Sequence, residues 1–270
     1  MAIAQQPTQP HMLIPQTSGL TQVHIKGPDD DGLDDLIRRH TARSLDGKKE
    51  IEVVGENKFG MLLKKYEHSM KKKDSFYWIN NVNNPLDVIS EVLTPDEINV
   101  FLQTTIRYED NEKYNESIHM FISILINNSY NAGYNNFRLN TENLKRKINE
   151  LGEKLEGHSN RIIHISIKGD VGTFCGSETK YASFVITGKV ESFLSYAAEN
   201  SSFTLNGEFI DKCPFKLEYF ATSCDFKTPN KKTLELLSGV PWNSSNKVYF
   251  IHPDGTEELM REDKQIHYPK

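Results

Sequence analysis

A glycine that closes a short apolar segment recurs along this chain at one fixed step. Gly169 ends Ile165-Ser166-Ile167-Lys168-Gly169, Gly188 ends Phe184-Val185-Ile186-Thr187-Gly188, and Gly207 ends Phe203-Thr204-Leu205-Asn206-Gly207, so the step is 19 residues both times. Self-similarity at that period means that each unit carries an apolar side it cannot bury alone and must stack on the next. Files of equivalent residues follow: Ile165, Phe184 and Phe203; Ile167, Ile186, Leu205 and then Cys224; Val171, Val190 and Phe209; Cys175, Leu194 and Cys213. Each file is expected to point inward. The positions between are Ser, Thr, Lys, Asn and Glu, which suit a solvated wall, and units about 4.8 Å apart would pair as parallel strands. Cys175 and Cys213, two units apart, would then stand about 9.6 Å from each other, beyond the roughly 7 Å that a disulfide spans.

The first unit also reads Gly169-Asp170-Val171-Gly172-Thr173-Phe174-Cys175-Gly176, with glycines suited to sharp corners. This resembles the repeat of the β-helix domain at the C-terminus of the glutamate synthase large subunit and of the formylmethanofuran dehydrogenase C subunit, and more generally looks like archaeal proteins carrying the same coils. The resemblance covers roughly residues 160–228 and is strongest in the first unit. Later units depart from it, with Glu191 and Ile210 in the place of Gly172 and Ser195 and Pro214 in the place of Gly176, so their corners should be built differently. In those enzymes the domain is implied to be a scaffold without catalytic residues. The expected fold class is accordingly α+β: a helical lobe, then a short right-handed parallel β-helix of 19-residue coils, then a C-terminal cap. The left-handed β-helix of hexapeptide acyltransferases, with its coil of about 18 residues, is set aside because no six-residue beat is present. His164, beside the first strand, is read as simply accommodated rather than as a base.

Four segments are expected around the repeats. Residues 1–44 mix Gln, Pro, Thr and Ser and read as a mostly disordered tail. Their Asp29-Asp30-Asp31 cluster lacks the ligand alternation and closing Glu of a calcium loop. An α-rich lobe spans 45–157, the repeats 158–228, and a C-terminal cap with a frayed end 229–270. Within the lobe, Ile51 to Val54 looks strand-like, whereas Phe59, Leu62, Leu63, Tyr66 and Met70 fall at helical spacing. Thr94-Pro95-Asp96-Glu97 is a capping box opening a helix with a stripe of Ile98, Phe101, Leu102, Thr105 and Ile106. A second helix from Ser117 to about Ala132 carries Ile118, Phe121, Ile122, Leu125, Ile126 and Tyr130 and ends at Gly133. Asn131 to Phe137 is read as a turn, and Leu144 to Leu155 as a connector that is short, extended or helical. Beyond the repeats, Thr233 to Leu237 is a short helix, Lys247 to Ile251 a strand, and Glu257 to Lys270 a charged, frayed end.

The chain has 270 residues and a net charge of −5, with a pI of about 6.0, which argues against a wholesale nucleic-acid binder. Three cysteines without a Cys-x-x-Cys pair, no secretory leader and no apolar run of membrane-spanning length place it in the cytoplasm with reduced thiols, away from any membrane. No metalloprotease, nucleophile-elbow, phosphate-loop or zinc-site spacing is present, the nine histidines stand singly, and neither a metal nor a cofactor is expected. Three functional readings remain, in this order. The first is a non-catalytic interaction or scaffold protein that presents a flat face to a protein partner. The second is an RNA- or ribosome-associated factor in which Lys64, Lys65, Lys71, Lys72 and Lys73 hold phosphates while Phe76, Tyr77 and Trp78 stack on bases. Against it stands the plainer view of a solvated helix face with aromatics turning into the core. The third is an enzyme with an unrecognised site between lobe and coils. Gly169, Gly172, Gly176, Gly188 and Gly207 are structural in all three readings.

Overall fold

A computed structural model describes residues 48–71, 88–210, 221–239 and 245–262. Three helices come first: α1 (Lys48–Lys71), α2 (Pro95–Thr105, continued by one 3₁₀ turn) and α3 (Tyr114–Asn131). Strands follow: β1 (Asn136–Asn140), β2 (Ile163–Lys168), β3 (Ala182–Ile186), the two-residue β4 (Val190–Glu191), β5 (Ser202–Leu205), the two-residue β6 (Phe209–Ile210) and β7 (Asp225–Thr228). A short helix α4 (Lys231–Gly239) and the hairpin β8 (Lys247–Ile251) and β9 (Glu257–Glu262) complete the described chain.

The glycine step is the register of the sheet. Ile165 pairs with Phe184 and Phe184 with Phe203, while Ile167 pairs with Ile186 and Ile186 with Leu205, all in parallel strands. The reason that glycine closes each segment is contact between successive backbones. A Cβ on Gly188 would lie 2.2 Å from the carbonyl carbon and oxygen of Gly169, and one on Gly207 would lie 2.0 Å from the Gly188 oxygen. The aromatic file stacks beside this column, with the Phe184 and Phe203 rings 5.1 Å apart and tilted by 7°, and Phe203 and Phe226 5.6 Å apart. Such offset stacks add to the area the rings bury.

The fold class expected from the sequence is corrected by this architecture. The described residues form a mixed sheet of seven strands in the order β1-β2-β3-β5-β7-β8-β9, parallel except for β9, with four helices, and so have α/β character. They do not close into a β-helix. Only one wall of each unit is long enough to join the main sheet. The other walls are the β4–β6 pair, single bridges such as Glu156 to Lys180 and Lys180 to Glu199, and turns. The turns repeat in their own way: Phe174 and Phe193, Gly176 and Ser195, Glu178 and Ala197, and Tyr181 and Asn200 are equivalent pairs, all with positive φ. Ser195 (φ 60°) therefore makes the same corner as Gly176 (φ 65°) rather than a different one, accepting a left-handed backbone that costs a side-chain-bearing residue about 1–2 kcal/mol.

Four local expectations also change. The step lengthens after β5, where Phe203 pairs with Phe226, so Thr228 rather than Cys224 lies beside Leu205 and donates its hydroxyl to the Leu205 carbonyl at 2.8 Å. Ile51 to Val54 is helical within α1, because no described strand offers it a ladder and a helix already formed extends by one backbone bond per residue. Residues 136–140, read partly as a turn, form β1, with Phe137 and Leu139 buried. The end expected to fray supplies β9, held to β8 by a turn with Gly255 at φ 85° and by the ion pair Lys247–Glu262, and reached from β7 by the ion pair Lys227–Glu257. The 1–44 tail, Cys213, Pro214 and the last eight residues lie outside the described chain.

The lobe is organised by Tyr66 of α1, fully buried and meeting Phe101, Tyr114 and Phe121 edge-on. The capping box at α2 forms as read: Glu97 receives the Thr94 backbone N–H at 2.7 Å, and Thr94 Oγ1 receives that of Glu97.

The glycine column gives a paired test by thermal unfolding. Gly188→Ala should destabilise the protein by about 1–3 kcal/mol, the usual cost of overpacking. Gly60→Ala, in α1 with nothing within 4 Å of the added methyl, should stabilise it by about 0.5–1 kcal/mol.

Candidate functional site

The two ends of the main sheet are finished differently. At β1, α2 lies alongside, and two of its side chains, four residues apart and hence on one helix face, occupy both backbone groups of the strand's last residue, Asn140. Asn99 Oδ1 accepts the Asn140 N–H at 2.8 Å, and Gln103 Nε2 donates to the Asn140 carbonyl at 2.6 Å. At the other end β9 is the last strand in the order, and every residue from Glu257 to Met260 is exposed, Leu259 and Met260 at 47% each. Two large apolar side chains on an edge strand are the feature that proteins usually blunt with charge or cover. Here Glu257, Glu258 and Glu262 flank them, each already paired with Lys227, His252 and Lys247 respectively.

A second arrangement lies where the lobe meets the repeats. α3 carries Asn115, His119, Ser123 and Asn127, spaced four apart along one face. That face meets the turns of residues 149–156. Asn115 Oδ1 accepts the Asn149 N–H at 3.3 Å, while Asn127 donates to the Lys154 carbonyl at 3.2 Å and accepts from Glu156 N–H. Between these two clamps His119 faces Glu150 and Glu153, with Nε2 at 3.3 Å from Glu150 Oε2 and Nδ1 at 3.6 Å from Glu153 Oε2. Burial, helped by the nearby Lys154 ammonium, pushes the His119 pKa down to about 4, so the ring is neutral near pH 7. It then has one N–H for two carboxylates and is not a salt-bridge partner to both. Burial and the neighbouring Glu153 raise the Glu150 pKa above the usual carboxylate range. No sequence motif announces this group; the one signal is a polar row at spacing four along α3.

A cleft of about 460 Å³ opens beside the glycine column, lined in part by Arg146, Lys147, Gly169, Asp170 and Gly188. Lys147 reaches Glu191 at 3.0 Å and Asp170 at 3.8 Å, so this charge is answered from within. Cys175 and Cys224 are buried free thiols whose pKa values burial pushes up to about 12 and about 11, which keeps them protonated and poor nucleophiles. His164 is exposed on β2.

The residues singled out for nucleic-acid contact divide. Lys64 and Lys71 are exposed on α1. Lys65 is not on that face: its side chain is 8% exposed and its Nζ bonds Glu91 Oε1 at 2.5 Å. Lys72, Lys73, Phe76, Tyr77 and Trp78 lie outside the described residues. No helix among the described residues is long and apolar enough to cross a membrane. Comparison with protein-family models, with curated proteins and with solved structures finds no match to this chain. The resemblance carried by Gly169, Gly172 and Gly176 thus rests on the sequence alone.

The two neighbouring lysines should respond differently to mutation. Removing one partner of a buried ion pair strands the other charge, so Lys65→Gln should cost about 3 kcal/mol and lower the thermal midpoint. Lys64→Gln should stay within about 0.5 kcal/mol of the parent protein.

Proposed function

We propose that the protein is a non-catalytic interaction scaffold in the cytoplasm, and that its partner protein docks on the β9 edge of the sheet. The observation that carries this reading is the contrast between the two edges. Asn99 and Gln103 occupy the N–H and carbonyl of Asn140 at the end of β1, and α2 packs along that strand, whereas β9 presents Leu259 and Met260 to solvent on the outermost strand. An extended segment of a partner can add to such an edge, with main-chain bonds providing affinity and the two apolar side chains providing contact area. The rest of the molecule fits a support: one continuous core runs from Phe59 in α1 to Val248 in β8. Two buried, protonated thiols agree with a reducing compartment.

Affinity capture from native lysate, with and without nuclease, tests the proposal against a Leu259→Lys/Met260→Lys double variant. Both positions are about half exposed, so the variant should keep the parent's circular dichroism and thermal midpoint. The expected result is a protein partner that survives nuclease and is lost with the double variant. Equal capture by parent and variant would remove the edge from consideration. Capture abolished by nuclease would favour RNA contact through the exposed Lys64 and Lys71 instead.

A further inference from the structure

His119 comes from the middle of α3, while Glu150 and Glu153 come from a turn some thirty residues later, and the asparagine clamps on either side fix the two segments against each other. One nitrogen of His119 and one oxygen from each glutamate lie within 4.8 Å of one another. Two ligands at about 2.0–2.2 Å from a tetrahedral ion stand roughly 3.4 Å apart. The separation of His119 Nε2 from Glu150 Oε2, 3.3 Å, is of that size, whereas Glu153 Oε2 lies 3.6 Å from the other ring nitrogen, Nδ1. One ion takes a single nitrogen of the ring, so a swing of one carboxylate toward that nitrogen draws the three atoms in from their 4.8 Å limit to surround it.

Independent of the carboxylates, the histidine itself calls for a ligand. His119 is 8% exposed, and its Nδ1 is buried without a hydrogen-bond partner although it faces Glu153. Ser123, one turn further along the same face of α3, also holds a hydroxyl buried without a partner. Buried polar atoms are nearly always satisfied, and two on one helix face mark a place where a bound group completes the structure. Glu153 is already oriented for this role: Lys154 Nζ holds its Oε1 at 2.6 Å, which leaves Oε2 turned toward the ring. Metal-ligating side chains are commonly fixed by such outer contacts. Glu150 has a third of its side chain exposed and offers a way in from solvent.

We propose that His119, Glu150 and Glu153 form a binding site for one divalent first-row transition ion of the zinc type, with water completing its coordination. An imidazole with two carboxylates suits such an ion better than magnesium or calcium, which prefer all-oxygen shells. The inference is independent of docking at β9.

Isothermal titration of the full chain with ZnCl₂, and in parallel with MgCl₂ and CaCl₂, provides the test. The expected result is saturable uptake of one Zn²⁺ per chain, with no comparable Mg²⁺ or Ca²⁺ binding, and a higher thermal midpoint in the presence of zinc. His119→Gln and Glu150→Gln should each weaken uptake by at least about tenfold and abolish the zinc-dependent shift in midpoint. Glu150→Gln, at a partly exposed turn position, keeps the test valid if the buried histidine variant fails to fold. Absence of saturable zinc binding in the parent protein overturns the proposal. So does zinc binding of unchanged affinity in Glu150→Gln, or equal affinity for Mg²⁺ or Ca²⁺.

Discussion

Backbone meets backbone at the glycine column, and the register of the parallel sheet depends on that contact. With Gly188 seated against the Gly169 carbonyl and Gly207 against Gly188, there is no room for a side chain at any of the three positions. The fixed step then places like over like: Ile167, Ile186 and Leu205 in one buried file, and Ile165, Phe184 and Phe203 in another. A slip by one residue would turn both files toward solvent, because side chains alternate between the faces of a strand. The close approach and the buried files thus enforce the same alignment, one by exclusion and the other by burial.

Much of this alignment was legible in the sequence, because it depends on local spacing that repeats. The 19-residue step, the capping box at Thr94 and the apolar stripe of α3 are short-range patterns, and the structure contains each of them. What the sequence did not reveal depends on distant contacts. Whether the repeats closed into a β-helix turned on the length of the secondary walls, and at β4 and β6 these are two residues long. The spacing of the glycines says nothing about that length. The longer step into β7 and the recruitment of β9 from a charged terminus were hidden for the same reason, since each is decided by the partner strand.

The candidate sites follow the same division. Lys65 looks like its neighbour Lys64 in a basic run, and only the packing of α1 separates a buried partner of Glu91 from a solvated lysine. His119 stood alone among scattered histidines, while Glu150 and Glu153 were two acids in a charged connector. Their meeting requires α3 to lie across the turns of residues 149–156. The stripe of Asn115, His119, Ser123 and Asn127 was readable as a row at spacing four, but solvent satisfies such a row as well as a protein surface does, so it did not name its partners.

The sheet's contrasting ends also limit how copies of the molecule can associate. Extended fibres grow when each copy offers two complementary edges, one to receive and one to be received. Here one main edge has α2 packed along it, with the side-chain amides of Asn99 and Gln103 on Asn140. The short β4–β6 sheet is closed at β6 by Thr233, whose hydroxyl takes the Phe209 N–H at 3.0 Å and gives its proton to the Gly207 carbonyl. Where β9 is the edge used, strand addition is self-terminating: a copy pairing through β9 meets its equal and the chain of association ends there.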